Sequence, residues 1–204
     1  MARKPAKRPP TADGSKGVIA IMSLMFALVP AVGSTNEYLI QDTLKSALVS
    51  IFILAAALWY FQYQPSKSIK WQLHIGLLFP ALLMGYAFFS MVWAHTYLAG
   101  VEAIRWFIFG LIFFLGINTL TLERVNRILW GIHVGAVAAS VWGILQFSID
   151  LQFFSQAATP ASTFVNKNFF AEFLVSTIPL SVLLTTRSKS KVSVFFLTFS
   201  IGVN

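Results

Sequence analysis

The stretch LHIGLLFPALLMGYAFFSMVWA, residues 73–94, holds no Asp, Glu, Lys or Arg in 22 positions. As an α-helix rising about 1.5 Å per residue it would be roughly 33 Å long, enough to cross about 30 Å of hydrocarbon. The same character recurs at 17–33, 46–63, 103–120, 128–147 and 169–186. A seventh run, 192–204, is too short to cross and lacks the charged face of an interfacial helix, so it reads as a span truncated at Asn204. The expected fold is all-α: a polytopic transmembrane helical bundle of six complete spans plus a truncated seventh.

Composition agrees. Apolar residues make up 57% of the chain and charged residues 11%, against roughly 25% charged in soluble domains. A soluble core could not hide that much apolar surface, and 20 Phe with 6 Trp exclude the disordered class. Zero Cys excludes disulfide frameworks, thiolate metal sites and Cys nucleophiles. The net charge is +8, but the basic residues sit in short clusters between apolar runs. That pattern argues for a lipid bilayer and against nucleic acid as the partner. His74, His95 and His133 are too scattered for a metal site, and no phosphate-binding loop or cofactor motif is present.

The basic clusters set an orientation. Arg3, Lys4, Lys7, Arg8 and Lys16 precede the first span; Lys67 and Lys70 follow the second. Arg124 and Arg127 follow the fourth; Arg187, Lys189 and Lys191 follow the sixth. Lys and Arg are retained on the cytoplasmic side, so the basic tail 1–16 is expected inside. The connections carrying Glu37 and Asp42, His95 and Glu102, and the 148–168 loop are expected outside. The domain division is then the tail 1–16 and a transmembrane domain 17–204. The first span, with Ala31-Val32-Gly33, also resembles a signal peptide, but its tail is long for one and further spans follow.

Five residues at the outer ends of spans are candidates for chemistry. Arg105 stands near the outer end of span four, one turn after Glu102. It is either an anchor snorkelling to headgroups or a cation aimed at an anionic substrate. Asn166, Lys167 and Asn168 enter span six from outside. Asn168 is placed as the N-cap, and helix N-termini attract anions. Glu172, one turn later, would orient Arg105 or Lys167, since a carboxylate beside two cations stays ionised. The ends of spans four and six are expected to lie close together. Gln146 is expected to bond a neighbouring helix, and His74 and His133 to sit near inner span ends.

The segment Ser162-Thr163-Phe164-Val165-Asn166-Lys167-Asn168-Phe169-Phe170-Ala171, with Pro179 beyond it, resembles the O-antigen ligase/polymerase superfamily of bacterial inner-membrane proteins. That family often shows a pattern near Gly-Thr-Phe-x-Asn-Pro-Asn-x-x-Ala followed by a Pro. This chain departs from it at Ser162, where the family tends to have Gly, and at Lys167, where it tends to have Pro. Gly143-Ile144-Leu145-Gln146 and Glu102-Ala103-Ile104-Arg105-Trp106 also look like family segments. The resemblance implies a membrane glycosyltransferase, without a cofactor, moving a glycan from an undecaprenyl-pyrophosphate carrier to an acceptor at the periplasmic face. Its partner would be the lipid-linked oligosaccharide. The family's larger outer loop lies further downstream, so this chain corresponds to an N-terminal portion, inactive alone. The competing expectations are a bicarbonate-type transporter and a non-catalytic scaffold. Transport sites are built from broken helices and repeats, and no repeat is visible here.

The orientation has a direct test. Single Cys residues at Thr35 and Thr159 should react with an impermeant thiol reagent in intact cells, while Cys at Ser66, Glu123 or Ser188 should not. The native chain contributes no background. Labelling at Ser188 from outside would reverse the assignment.

Overall fold

The structure, a computed structural model, describes residues 14–36, 41–63, 74–94, 96–154, 156–157 and 159–202. His95, Glu37, Lys67, Lys70 and the tail before residue 14 lie outside the described residues. Among the described residues seven α-helices follow one another: α1 (Gly14–Ala31), α2 (Gln41–Tyr63), α3 (Leu78–Ala94, entered by a 3-10 turn, Ile75–Leu77), α4 (Leu98–Thr119), α5 (Leu122–Ile149), α6 (Lys167–Arg187) and α7 (Lys191–Ile201). No strand occurs among the described residues. Six of the helical segments are long and apolar enough to cross a membrane. The seventh, α7, has 11 residues, about 16 Å of helix. The protein is an all-helical, multi-pass membrane bundle.

Several helices start earlier than the apolar runs suggested. α5 begins at Leu122 rather than 128, capped by the Thr121 hydroxyl, which accepts from Arg124 N–H. α4 begins at Leu98 and α2 at Gln41. The polar residues here, Glu123 and Arg124 among them, end the apolar run without ending the helix. Nothing in them breaks backbone hydrogen bonding, and lipid favours closing every such bond.

α1 and α5 run parallel and approach very closely. The Ser23 hydroxyl donates to Arg127 O at 2.7 Å. A Cβ on Gly131 would lie 2.3 Å from Ser23 O, and one on Gly135 would lie 2.3 Å from Phe26 O. Gly131, Gly135 and Ala139 thus form a small-residue stripe that lets two backbones touch. This is the usual way to gain packing where lipid offers no hydrophobic drive. α2 lies antiparallel to α1: Trp59 fills the space beside Gly17, while Lys45 reaches the opposite end of α1. α4 joins them around a core of Met22, Ile53, Tyr60 and Leu115. α3 packs on α4, with Pro80 against Gly110 and Met91 against Gly100.

α6 packs on α5, and α7 packs on α6. His133 joins all three: its Nδ1 lies 2.9 Å from the Ser181 hydroxyl and its Nε2 lies 2.8 Å from the Ser200 hydroxyl. The ring is buried. This corrects the expectation of a ring near a span end. Because α5 starts at Leu122, His133 stands three turns inside the helix, where both nitrogens need protein partners.

Inserting a methyl group into the α1–α5 contact should be costly. Gly135→Ala should lower bundle stability by about 1–3 kcal/mol, the range for overpacking, read as an earlier thermal transition in detergent. Gly85→Ala, with nothing within 4 Å of its Cβ position, should leave the transition unchanged or slightly raised.

Candidate functional site at the loop end

The end of the bundle where α5 gives way to α6 is organised by a folded loop that dips into the protein. Asp150 stops α5 in a left-handed conformation (φ 48°). Phe153 then stacks on Trp142, Phe154 meets Trp142 edge to face, and the Phe154 ring lies over Gly33. Thr159–Pro160 is a cis peptide. A tight turn follows, in which Phe164 N–H donates to Ala161 O at 2.9 Å and Ser162 takes φ 57°. Ala161, Ser162 and Thr163 are all fully buried.

A buried turn leaves peptide groups that water cannot reach, so side chains must serve them. Gln146 does most of this. Its Oε1 accepts from Ala161 N–H at 3.0 Å and from Ser162 N–H at 2.6 Å. Its Nε2 donates to Ser162 O and to Gln156 Oε1. Gln156 Nε2 in turn donates to Ser162 O and Phe164 O. The Ser162 hydroxyl donates to Ala139 O, and the Thr163 hydroxyl to Pro30 O. Gln146 therefore braces the loop and not, as expected from the sequence, a neighbouring helix.

Lys45, which is not among the residues the sequence singles out, completes the clamp. Its Nζ donates to Val29 O at 2.9 Å, Val32 O at 3.0 Å and Thr163 Oγ1 at 3.0 Å. It also stands 4.6 Å from the centroid of the Phe164 ring. Val29 lies in the last turn of α1 and Val32 directly follows the helix, where carbonyl oxygens have no helical donor and favour a cation. The sequence signal was present: Lys45 is one of only three basic residues outside the four clusters, with Arg105 and Lys167.

The α6 entry differs from expectation in one respect. Asn166, not Asn168, is the N-cap. Its extended backbone (φ −146°, ψ 165°) turns Oδ1 to accept from Asn168 N–H at 2.9 Å and Phe169 N–H at 3.1 Å. α6 starts at Lys167, so Asn168 already lies in the first turn and is served by the cap. The side chains of Lys167, Asn168 and Glu172 are exposed. Glu172 is paired with neither cation. The one ion pair among the described residues joins Arg105 to Glu102, i to i+3 on α4, with both side chains 48% exposed.

α4 does not pack face to face with α6. α6 lies on α5 and α7, whereas α4 lies on α3, α2 and α1. The link between Arg105 and the α6 entry runs through α2. Arg105 and Lys45 line one groove between α4 and α2, and Lys45 holds Thr163 and Phe164. The loop end thus gathers three cations of graded exposure: Lys45 half-buried, Arg105 half-exposed and Lys167 exposed. Such a surface suits an anion at the membrane boundary.

No protein-family model, no curated protein and no solved structure matches this chain.

The clamp predicts a local opening. Gln146→Leu removes the acceptor of two buried N–H groups, each costing about 1–3 kcal/mol. In detergent, amide hydrogen exchange at Ala161 and Ser162 should quicken by about tenfold or more, while the α1–α5 contact at Gly131 keeps its protection. Unchanged exchange at both amides would mean the turn is held by other contacts.

Proposed function

We propose that this chain is the N-terminal portion of an O-antigen ligase-like membrane glycosyltransferase. The basic end of the bundle faces the cytoplasm, and the loop end faces the periplasm of a bacterial inner membrane. There it handles a glycan carried on undecaprenyl pyrophosphate.

One observation carries this reading. The two departures from the family pattern fall at positions whose backbone explains the family's residue. Where the family tends to have Gly, Ser162 stands at φ 57°, a conformation glycine adopts without strain. Where the family tends to have Pro, Lys167 is the first residue of α6, directly after the Asn166 cap. That is the one helical position that favours proline. The pattern Gly-Thr-Phe-x-Asn-Pro-Asn is therefore compatible with this backbone residue by residue: a left-handed turn, a buried Thr, an N-cap, then the first helical residue. Capping accounts for Asn166. Lys167 and Asn168 remain exposed, with no structural task that explains them, beside a helix N-terminus suited to phosphate.

In this reading Arg105 and Lys167 neutralise pyrophosphate as it departs, when its charge is greatest, and Asn168 hydrogen-bonds it. Glu102 holds the Arg105 guanidinium in place. The rival reading as a transporter would draw on His133, a titratable group buried in the bundle. Both its ring nitrogens are engaged by Ser181 and Ser200, a role as a brace between helices.

In the full-length protein, Arg105→Ala and Asn168→Ala should each lower glycan transfer by about 10- to 100-fold, the worth of a hydrogen bond to a charged group. Membrane insertion should be unaffected. Arg105→Lys should restore only part, because a point charge lacks the planar fork. Full transfer by a stably inserted Arg105→Ala, Lys167→Ala double variant would sink the assignment.

A further inference from the structure

Arg127, Trp130 and Val134 stand at i, i+3 and i+7 on α5, so they share one face of that helix. They form a ridge with a groove on either side, and Trp130 and Val134 line both grooves. The first groove lies between α1 and α5. Ala20, Leu24 and Ala27 make its far wall, Arg127 stands at the end nearest the start of α5, and its volume is about 420 Å³. The second lies between α5 and α7. Val137, Ala138, Leu197 and Phe199 run along it, and its volume is about 410 Å³. It is open because α7 packs on α6 and reaches α5 through the bond between Ser200 and His133.

This end of the bundle is basic. Arg127 is exposed, and among the described residues nothing bonds its guanidinium; the Ser23 hydroxyl takes only its carbonyl. Lys16, one turn before Ala20 on α1, is exposed as well. Arg187, Lys189 and Lys191 lie where α6 passes into α7. Among the described residues Glu123 is the only acid at this end. Two apolar grooves of nearly equal size, parted by one ridge with a free cation at its head, complement one kind of molecule: an anionic phospholipid with two acyl chains.

We propose that a single anionic diacyl phospholipid straddles the Trp130–Val134 ridge, with one chain in each groove and its phosphate on Arg127. The guanidinium fork takes two phosphate oxygens, and Lys16 adds a second positive charge from the α1 side. Basic pockets between helix ends are suited to such headgroups. A zwitterionic lipid fits less well, because it carries its own ammonium into a cluster of cations. The chains fill space that protein atoms leave empty, so the lipid ties α1 and α7 to opposite sides of α5. The site does not rest on the transferase reading. The glycan carrier of that reading is a single prenyl chain handled at the loop end, the opposite end of the bundle.

Native mass spectrometry of the detergent-purified chain tests the site with phosphatidylglycerol, its single-chain lyso form, phosphatidylcholine and inorganic phosphate. Phosphatidylglycerol should bind one molecule per chain, and each other probe at least about tenfold more weakly. Arg127→Gln should weaken phosphatidylglycerol about tenfold or more. Ala20→Trp fills the first groove and Ala138→Trp the second, and every charge stays in place. Each should bring phosphatidylglycerol down to the level of the lyso form, which needs only one groove. Ala20 is exposed and Ala138 half-buried, so the lipid-free thermal transition should hold in both variants; should either fail to fold, Arg127→Gln and the lyso comparison still decide. Wild-type binding of phosphatidylglycerol to Arg127→Gln would overturn the phosphate contact, and wild-type binding to both Trp variants would overturn the grooves. Equal binding of phosphatidylcholine would mean ordinary contact with bilayer lipid and overturn the site. Equal binding of the lyso form would overturn the two-chain assignment, and equal binding of inorganic phosphate would overturn the lipid itself.

Discussion

Two buried backbone N–H groups, those of Ala161 and Ser162, depend on a single side-chain oxygen of Gln146. In a membrane bundle the helices satisfy their own peptide groups, so irregular chain is admitted only where side chains replace the missing helical bonds. Gln146, Gln156, Lys45 and the two hydroxyls of Ser162 and Thr163 form that replacement. The α1 terminus, the α2 start and the α6 entry all meet it. The placement of Lys167 and Asn168 follows from it, because the turn fixes where α6 begins.

The all-helical, multi-span architecture was legible because hydrocarbon thickness imposes one length on every apolar run, and residues 73–94 show it without a charge. Helix ends were less legible. Glu123 through Arg127 stop the hydropathy signal, yet they are ordinary helix residues, and α5 runs through them. The misplacement of His133 follows from that one error, since a helix starting at 128 would put the ring near its end. Asn166 and Asn168 are two residues apart with the same capping chemistry. Only the extended backbone of Asn166 decides between them.

The site was half legible. Arg105 and the Asn-Lys-Asn stretch stand out as polar residues against apolar surroundings. Lys45 did not, because a span boundary drawn at 46 turned it into an ordinary loop cation. Its partners, Val29, Val32 and Thr163, lie 16, 13 and 118 residues away in sequence, and no local pattern announces contacts of that range. Glu172 was expected to orient Arg105 or Lys167, but Arg105 has a carboxylate of its own helix, Glu102, within reach, and Glu172 stays exposed. Gln146 was recognised as a bonding residue, yet its partner is a turn that no periodicity signals.

The closest helix contact in the bundle joins its first and fifth helices. Ser23 and Phe26 cannot meet Gly131 and Gly135 until about 100 further residues have been translated, roughly 5–20 seconds at usual elongation rates. During that interval α1 has α2 as a neighbour, but its Ser23–Phe26 face still lacks the α5 stripe that covers it. α5 must then slide in beside α1 on the side that α2 leaves free. The Ser162–Thr163 turn can close only after that, since it rests on both. The order of translation thus sets the order of these contacts: α1 with α2 first, α5 on α1 next, and the turn only after both.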